Sequence, residues 1–539
     1  MAVTKHGGGN SAAAARSARR GLFNALLDGV ERVGNRMPDQ ITIFMALGVV
    51  TLLVSSLGAW MGWSIVHPVS GRTEVVRDLL SREGLAWVLG SVVSNFAGFP
   101  PLGTVLVAMI GVGVAERTGL FAALLKLLVM SVPAALVTPT IVFAGIMSNT
   151  ASDAGYVILP PLAAMLFHSL GRHPLAGVGA AFAGVAGGFS ANLLLSTLDP
   201  MLAGLTAAAA GTIQNGYSVH AAVNFYFMAA SVPVLMLVGW FVSEKIVEPR
   251  LGRWDPASAP AGAETAGFAP LEPIERTGLW AALAAFVATG ALIAWMVLPE
   301  NGILRDPGGK DTIGRLKPFF AALVAIIFAV FIVPGIVFGV VTGRLRSDRD
   351  AARMMNQTMA AMGGYVVLAF FAAQFIEWFK QSNLGLFIAV GGAEMLKSVK
   401  FTGFPLMISF VLVTALFNIL MSSASAKWAL MAPVFVPMFM LLGKSPEAAQ
   451  AMYRVGDSCT NAITPLNAYF PILLAVVHRY LPSAGIGTLI SMMVPYSIAF
   501  LLAWTIMLMG WMAVGAELGP GAGILYDSAA IRAAAPAVP

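Results

Sequence analysis

The stretch "FAGIMSNTASDAGYVILPPLAAM" covers residues 143–165, and "FNILMSSASAKWALMAPVFVPMF" covers residues 417–439. Laid together, they set Met147 on Met421, Ser148 on Ser422 and Asp153 on Lys427. Two further pairs follow in the same order at a nearly constant offset: "GLFAAL" (119–124) with "GLFIAV" (385–390), and "VAGGFSAN" (185–192) with "VGDSCTNA" (455–462). Apolar segments match easily by chance, but three ordered matches point to an internal duplication.

The chain around this repeat has 539 residues, of which 58% are hydrophobic and 11% charged, with a mean hydropathy of +0.81. Soluble domains carry about 25% charged residues, so a soluble enzyme or scaffold is excluded. Stretches of the roughly 20 apolar residues that a bilayer crossing needs recur along the sequence. The period-two alternation of a β-barrel does not. The expected fold class is therefore an all-α polytopic membrane protein. Its 32 basic and 26 acidic residues give +6, which reads as Lys and Arg in cytoplasmic loops rather than as a nucleic-acid partner. The single Cys459 cannot form an intrachain disulfide, and His168 and His173 stand five apart, off a shared helix face, so redox and zinc chemistry fit poorly. "GGKDT" (308–312) lacks the upstream glycine and the Ser/Thr after lysine of a phosphate loop. With no ATP site legible, an ion gradient is the expected energy source.

Residues 1–40 form a basic, Gly/Ala-rich tail, expected to be cytoplasmic and partly disordered. The first apolar run, 41–66, is a full span rather than a signal-peptide core. Further runs lie near 85–113, 119–146, 155–170, 174–209, 221–243, 278–298, 318–341, 361–379, 404–420, 427–443, 466–480 and 485–513. A proline-rich polar linker, 244–277, separates a first membrane repeat (41–243) from a connecting helix (278–298), a loop (299–317), a second repeat (318–515) and a C-terminal tail (516–539). Gly, Pro and polar interruptions within the runs mark broken helices or re-entrant hairpins. If 41–66 runs outward, its counterpart 318–341 leads to Arg344, Arg346, Arg349 and Arg353, which the positive-inside rule places in the cytoplasm. The odd crossing 278–298 then inverts the second copy. Inverted-topology repeats of this kind bind substrate near the midplane, at broken helices.

Ionisable groups within apolar segments are costly and default to functional candidates. Here they are Glu116, Arg117, Asp153, Asp199, Glu377, Lys427, Arg454 and Asp457; Glu116, Arg117 and Glu377 also fit helix ends near headgroups. The cluster 148–153 offers hydroxyl, amide and carboxylate oxygens. Ser148, Asn149 and Thr150 are accordingly candidate ligands for a sodium ion, or else donors in inter-helical hydrogen bonds. Asp153 and Lys427, equivalent in the two copies, are expected to face each other as a buried ion pair. Arg454 and Asp457, three apart, share a helix face, either pairing with each other or offering the guanidinium fork to an anionic substrate. Gly456, Thr460, Asn461, Thr464, Pro465 and Asn467 read as an unwound stretch lining a cavity. The corresponding "GVAGGFSANLLLSTLDP" (184–200) contains Asn192, Ser196 and Thr197 and ends in Asp199-Pro200. Desolvation favours the neutral carboxyl, which makes Asp199 a candidate proton carrier; a capped turn before proline is the competing reading. Trp428 offers a stacking face for an aromatic ligand, or an interface anchor.

In "SNTASDAGYVILPPLAA" (148–164), "GVAGGFSANLLLSTLDPMLAG" (184–204), "SSASAKWALMAPVFVPMFMLLG" (422–443) and "YRVGDSCTNAITPLNAYFPILL" (453–474), the sequence resembles the aminobenzoyl-glutamate transporter (AbgT) family across roughly residues 30–515. The resemblance implies a homodimer in the bacterial inner membrane, with about nine transmembrane helices and two re-entrant hairpins per subunit. It implies import of p-aminobenzoyl-glutamate or proton-driven export of sulfonamides. The family's substrate-site positions fall on Asp199, Ser425, Trp428, Pro446, Arg454, Asp457 and Pro465, to which the residues' own reading adds Asn192 and Asn461. Asp199 and Asp457 are the expected proton-coupling groups. Ser148-Asn149-Thr150 is also similar to the tip motif of sodium-coupled dicarboxylate carriers, the alternative reading. An intramembrane hydrolase using Ser425 with Lys427, or Asp153 with Asp199, lacks a strained nucleophile motif. A passive channel needs a continuous polar path.

Overall fold

The computed structural model describes residues 38–68, 71–151, 154–255, 271–309 and 312–527. Most of the tail 1–40, the middle of the linker and Asp153 lie outside them.

The first copy comprises α1 (Gln40–Trp60), α2 (Pro100–Arg117), α3 (Leu120–Met130), α4 (Val137–Ser148), α5 (Ala154–Ser169), α6 (Pro174–Gly187), α7 (Leu198–Ala210) and α8 (Phe225–Leu251). Helix α9 (Pro273–Val297) connects to the second copy: α10 (Leu323–Val341), α11 (Gly363–Gln381), α12 (Leu384–Ser398), α13 (Phe404–Leu420), α14 (Ala424–Leu441), α15 (Pro446–Cys459), α16 (Phe470–His478) and α17 (Ile486–Val514). The two octets correspond helix for helix, and their packing is reciprocal. Helix α1 packs on α11, and its equivalent α10 packs on α2, the equivalent of α11; α7 packs on α14, as α16 packs on α5; α8 and α17 pack on each other. Each copy therefore completes the other.

Among the described residues, six helices (α1, α8, α9, α10, α14 and α17) are long and apolar enough to cross a membrane, and two bent pairs bring the number to eight. One bent pair is α2 with α3, turned by 60° where Gly119 adopts φ 82. The other joins Asp348–Ala361 to α11 at 45°. Helices α4 to α7 and α13 are apolar but shorter, the lengths of half-spans and hairpin arms rather than of full crossings. Outer faces remain apolar, with Leu53, Trp280 and Ile506 exposed, as lipid contact requires.

Element ends differ from the apolar runs for local reasons. Helix α1 stops at Trp60, not at 66: Gly62 turns at φ 68, and β1 (Ser64–Val66) pairs antiparallel with β2 (Thr73–Val75). Helix α8 runs past 243 to Leu251 because Glu244 and Glu248 on its last turns hold Arg172, at 3.4 and 2.5 Å. Helix α9 begins at Pro273, where Glu272 and Glu275 form a capping box. Glu275 is buried and also binds Arg344 at 2.7 Å and Lys126 at 3.6 Å.

Candidate functional site

Helix α15 forms the centre of the site. It is amphipathic and poor in apolar residues for a helix in a membrane protein, and its start is well marked: Ser445 accepts from the Ala448 N–H at 3.1 Å, Pro446 opens the first turn and Glu447 follows. All 14 of its residues are buried, so this polar helix is enclosed by protein rather than by lipid. The helix includes Gly456, which sequence reasoning placed in an unwound stretch; the unwinding starts at Thr460. Gly456 is instead a packing position, since a Cβ there would lie 2.4 Å from the Val411 carbonyl oxygen of α13.

Arg454 on α15 meets Asp199 on α7, Nη1 to Oδ1 at 2.7 Å, both side chains almost wholly buried. Its Nη2 donates to the Ser190 carbonyl at 3.0 Å, in the break between α6 and α7. The other Asp199 oxygen, Oδ2, accepts from the Ser196 N–H at 2.7 Å and its hydroxyl at 2.9 Å. One Asp199 oxygen thus caps the turn before Pro200, as the competing sequence reading expected, and the other neutralises an arginine from the opposite copy, a pairing that the sequence reading did not contain. Ser458 completes the junction, donating to the Arg454 carbonyl at 2.7 Å and accepting from the Ser190 N–H at 3.2 Å.

Asp457 does not pair with Arg454. Its Oδ1 holds Lys427 Nζ at 2.6 Å, and Lys427 also donates to Asn418 Oδ1. Among the described residues Lys427 therefore binds the helix beside it in its own copy; Asp153, the partner that the alignment suggested, lies outside them. Helices α14 and α15 are neighbours joined by a short turn, and this shared wall sets the pairing. Asn418, the one amide side chain in the apolar α13, also donates to the Asp457 carbonyl (2.6 Å), Thr460 (2.9 Å) and Asn461 Oδ1 (2.8 Å). Sequence reasoning passed over it; an amide inside "LFNIL" was the available signal.

Trp428 is fully buried; its indole N–H donates to Thr206 at 2.9 Å and its ring packs on Tyr453 with centroids 4.4 Å apart. Thr206 in turn donates to Gln450 at 2.6 Å. Ser425 lies one turn before Trp428, 3.2 Å from the Ser423 hydroxyl, beside a narrow crevice shared with Phe99 and Tyr365. Pro465 sits in the second-copy break, where Asn467 donates to the Asn461 carbonyl at 3.1 Å. In the first copy, Ser148 donates to the Gly145 carbonyl at 2.7 Å, Asn149 to the Ile146 carbonyl at 3.1 Å, and Thr150 to Asn192 Oδ1 at 2.8 Å. The structure thus gathers Asn192, Asp199, Trp428, Arg454, Asp457 and Asn461 on the helices and breaks around α15. Ser425, Pro446 and Pro465 mark its surrounding helix ends and loop.

The family model described as "AbgT putative transporter family" matches residues 25–526. The p-aminobenzoyl-glutamate transport protein of Escherichia coli (strain K12) is 39% identical over 492 residues, covering 91% of this chain and 95% of that protein. The crystal structure of the Alcanivorax borkumensis YdaH transporter, described as having an unusual topology, matches with a TM-score of 0.84 at 41% identity, over 90% of this chain and all of that one. Neisseria gonorrhoeae MtrF, described within a class of antimetabolite efflux pumps, matches with a TM-score of 0.85 at 47% identity, over 90% of this chain and 97% of that one.

Proposed function

The chain belongs to the AbgT family of multi-pass membrane transporters, and from that premise we propose that it moves p-aminobenzoyl-glutamate or a related aromatic anion, sulfonamides included, by secondary transport coupled to protons. The observation that carries this reading is the Arg454–Asp199 pair. A guanidinium from one copy is neutralised by a carboxylate from the other, at the breaks where two helices lose their regular hydrogen bonds. An ionised Asp199 competes with a substrate carboxylate for the same donors. A proton on Asp199 removes that competitor and frees the Arg454 fork for the ligand. Proton and anion are thereby bound in the same half-cycle, and substrate affinity rises as pH falls. Asp457 and Lys427 form a second buried ion pair one turn along α15, within the second copy, and Trp428 with Tyr453 supplies the aromatic surface against which the substrate ring lies. The transporter works in the inner membrane as a homodimer with its N-terminus in the cytoplasm.

The test is radiolabelled p-aminobenzoyl-glutamate flux in proteoliposomes, with pH and sodium gradients imposed separately. Accumulation driven by the pH gradient, unchanged when choline replaces sodium, is the expected result. Accumulation that requires sodium instead identifies a sodium-coupled dicarboxylate-type carrier.

A further inference from the structure

Four buried polar atoms at the first-copy break have no hydrogen-bond partner among the described residues: Asn149 Oδ1, Ser190 Oγ, Asn192 Nδ2 and Arg454 Nε. Their residues are 8%, 2%, 4% and 1% exposed, so bulk water does not compensate them. Orphaned groups at this depth are uncommon in folded proteins and each carries a desolvation cost. Their residues are linked through chain neighbours and hydrogen bonds of other atoms. Thr150, next to Asn149, donates to Asn192 at 2.8 Å; Ser190, two residues before Asn192, has its carbonyl on Arg454 at 3.0 Å.

The neighbours fix which amide atom is which. Asn149 donates its NH2 to the Ile146 carbonyl, so the free atom is an acceptor oxygen. Asn192 Oδ1 accepts from the Leu194 N–H at 3.2 Å and from Thr150, so its free atom is a donor nitrogen. Arg454 Nε–H is a donor in any state. The set comprises one acceptor, two donors and an adaptable hydroxyl. A bare cation needs oxygen lone pairs on every side, and a set that includes two N–H donors does not provide them. These donors and this acceptor instead match a group carrying both an oxygen and an N–H.

Resting on the transport reading above, we propose that Asn149, Ser190 and Asn192, with Arg454 Nε, form a subsite for the neutral amide or sulfonamide linkage of an aromatic anion. The linkage N–H donates to Asn149 Oδ1, and its carbonyl or sulfonyl oxygen accepts from Asn192 Nδ2 and Arg454 Nε. Arg454 thereby reads the charge with Nη1 and the linkage with Nε. Asn149 is the group that separates an amide from an isosteric ester, which has the oxygen but not the N–H.

The experiment compares p-aminobenzoyl-glutamate with its ester analogue, in which oxygen replaces the linkage N–H, as substrates of the full chain in proteoliposomes. The wild type is expected to favour the amide by roughly tenfold or more, because the ester leaves Asn149 Oδ1 unpaired. Asn149→Ala should bring the two ligands close to parity, whereas Asn192→Ala should weaken both alike. Equal handling of amide and ester by the wild type, a comparison that needs no variant to fold, overturns the subsite. So does an undiminished preference in Asn149→Ala, or a preference that vanishes when choline replaces sodium. Failure of the wild type to transport either ligand sinks the underlying transport reading instead.

Discussion

Replacing Asp199 with asparagine keeps the side-chain shape and removes its charge. In the native site Oδ1 holds Arg454 at 2.7 Å while Oδ2 accepts two bonds from Ser196, at 2.7 and 2.9 Å. An amide has only one oxygen, so its NH2 must confront either the guanidinium or the Ser196 N–H, donor against donor. Arg454 is 1% exposed and cannot turn to solvent. Removing one partner of a buried pair costs about 3–5 kcal/mol; the retained acceptor puts Asp199→Asn near the low end, about 3 kcal/mol. The thermal midpoint of the purified variant should fall accordingly. Function should divide in a specific way: the asparagine cannot take up a proton, so accumulation driven by an imposed pH gradient is lost. Arg454 no longer faces a competing carboxylate, so substrate binding persists and loses its pH dependence. Parallel measurements of pH-driven accumulation and of equilibrium binding at two pH values check both halves. Wild-type accumulation in Asp199→Asn would refute the proton-carrying role.

Arg454→Lys conserves charge but cannot reach the Asp199 carboxylate and the Ser190 carbonyl from one rigid fork, so binding titrations should show affinity at least tenfold weaker. Trp428→Ala opens a cavity in a fully buried position, and chemical denaturation should show a loss of about 3–5 kcal/mol. Trp428→Phe keeps a ring and loses only the bond to Thr206, about 1 kcal/mol, which makes it the variant in which weakened binding of aromatic substrates reports on the ring itself. Gly456→Ala forces α15 away from the Val411 carbonyl and should destabilise the protein by about 1–3 kcal/mol while lowering flux, because Arg454 moves with the helix.

The duplication, the family and the unusual burial of Asp199 and Arg454 were legible because each is a local property of the sequence: a repeated string, or a charge where lipid or apolar core should be. Partnership was not local. Arg454 and Asp199 are 255 residues apart, and nothing in either segment announces the other. Nor did the sequence announce that Lys427 meets Asp457 on the adjoining helix of its own copy, 30 residues further on. Helix α15 was hidden for a different reason. A helix enclosed entirely by protein can devote a whole face to Gln450, Arg454 and Asp457, so its overall hydropathy is low and the search that reveals lipid-facing spans passes over the segment at the centre of the site. The four orphaned atoms could not be foreseen at all, since being unpaired is a property of the assembled fold.

The exchange of helices between the two halves bears on how such a molecule came to exist. With α1 seated on α11 and α10 on α2, a solitary ancestral unit would have left its first two helices without the surfaces that now cover them. A unit built like either half would thus need a second copy to cover them, and the two halves expressed as separate polypeptides should be recovered only together.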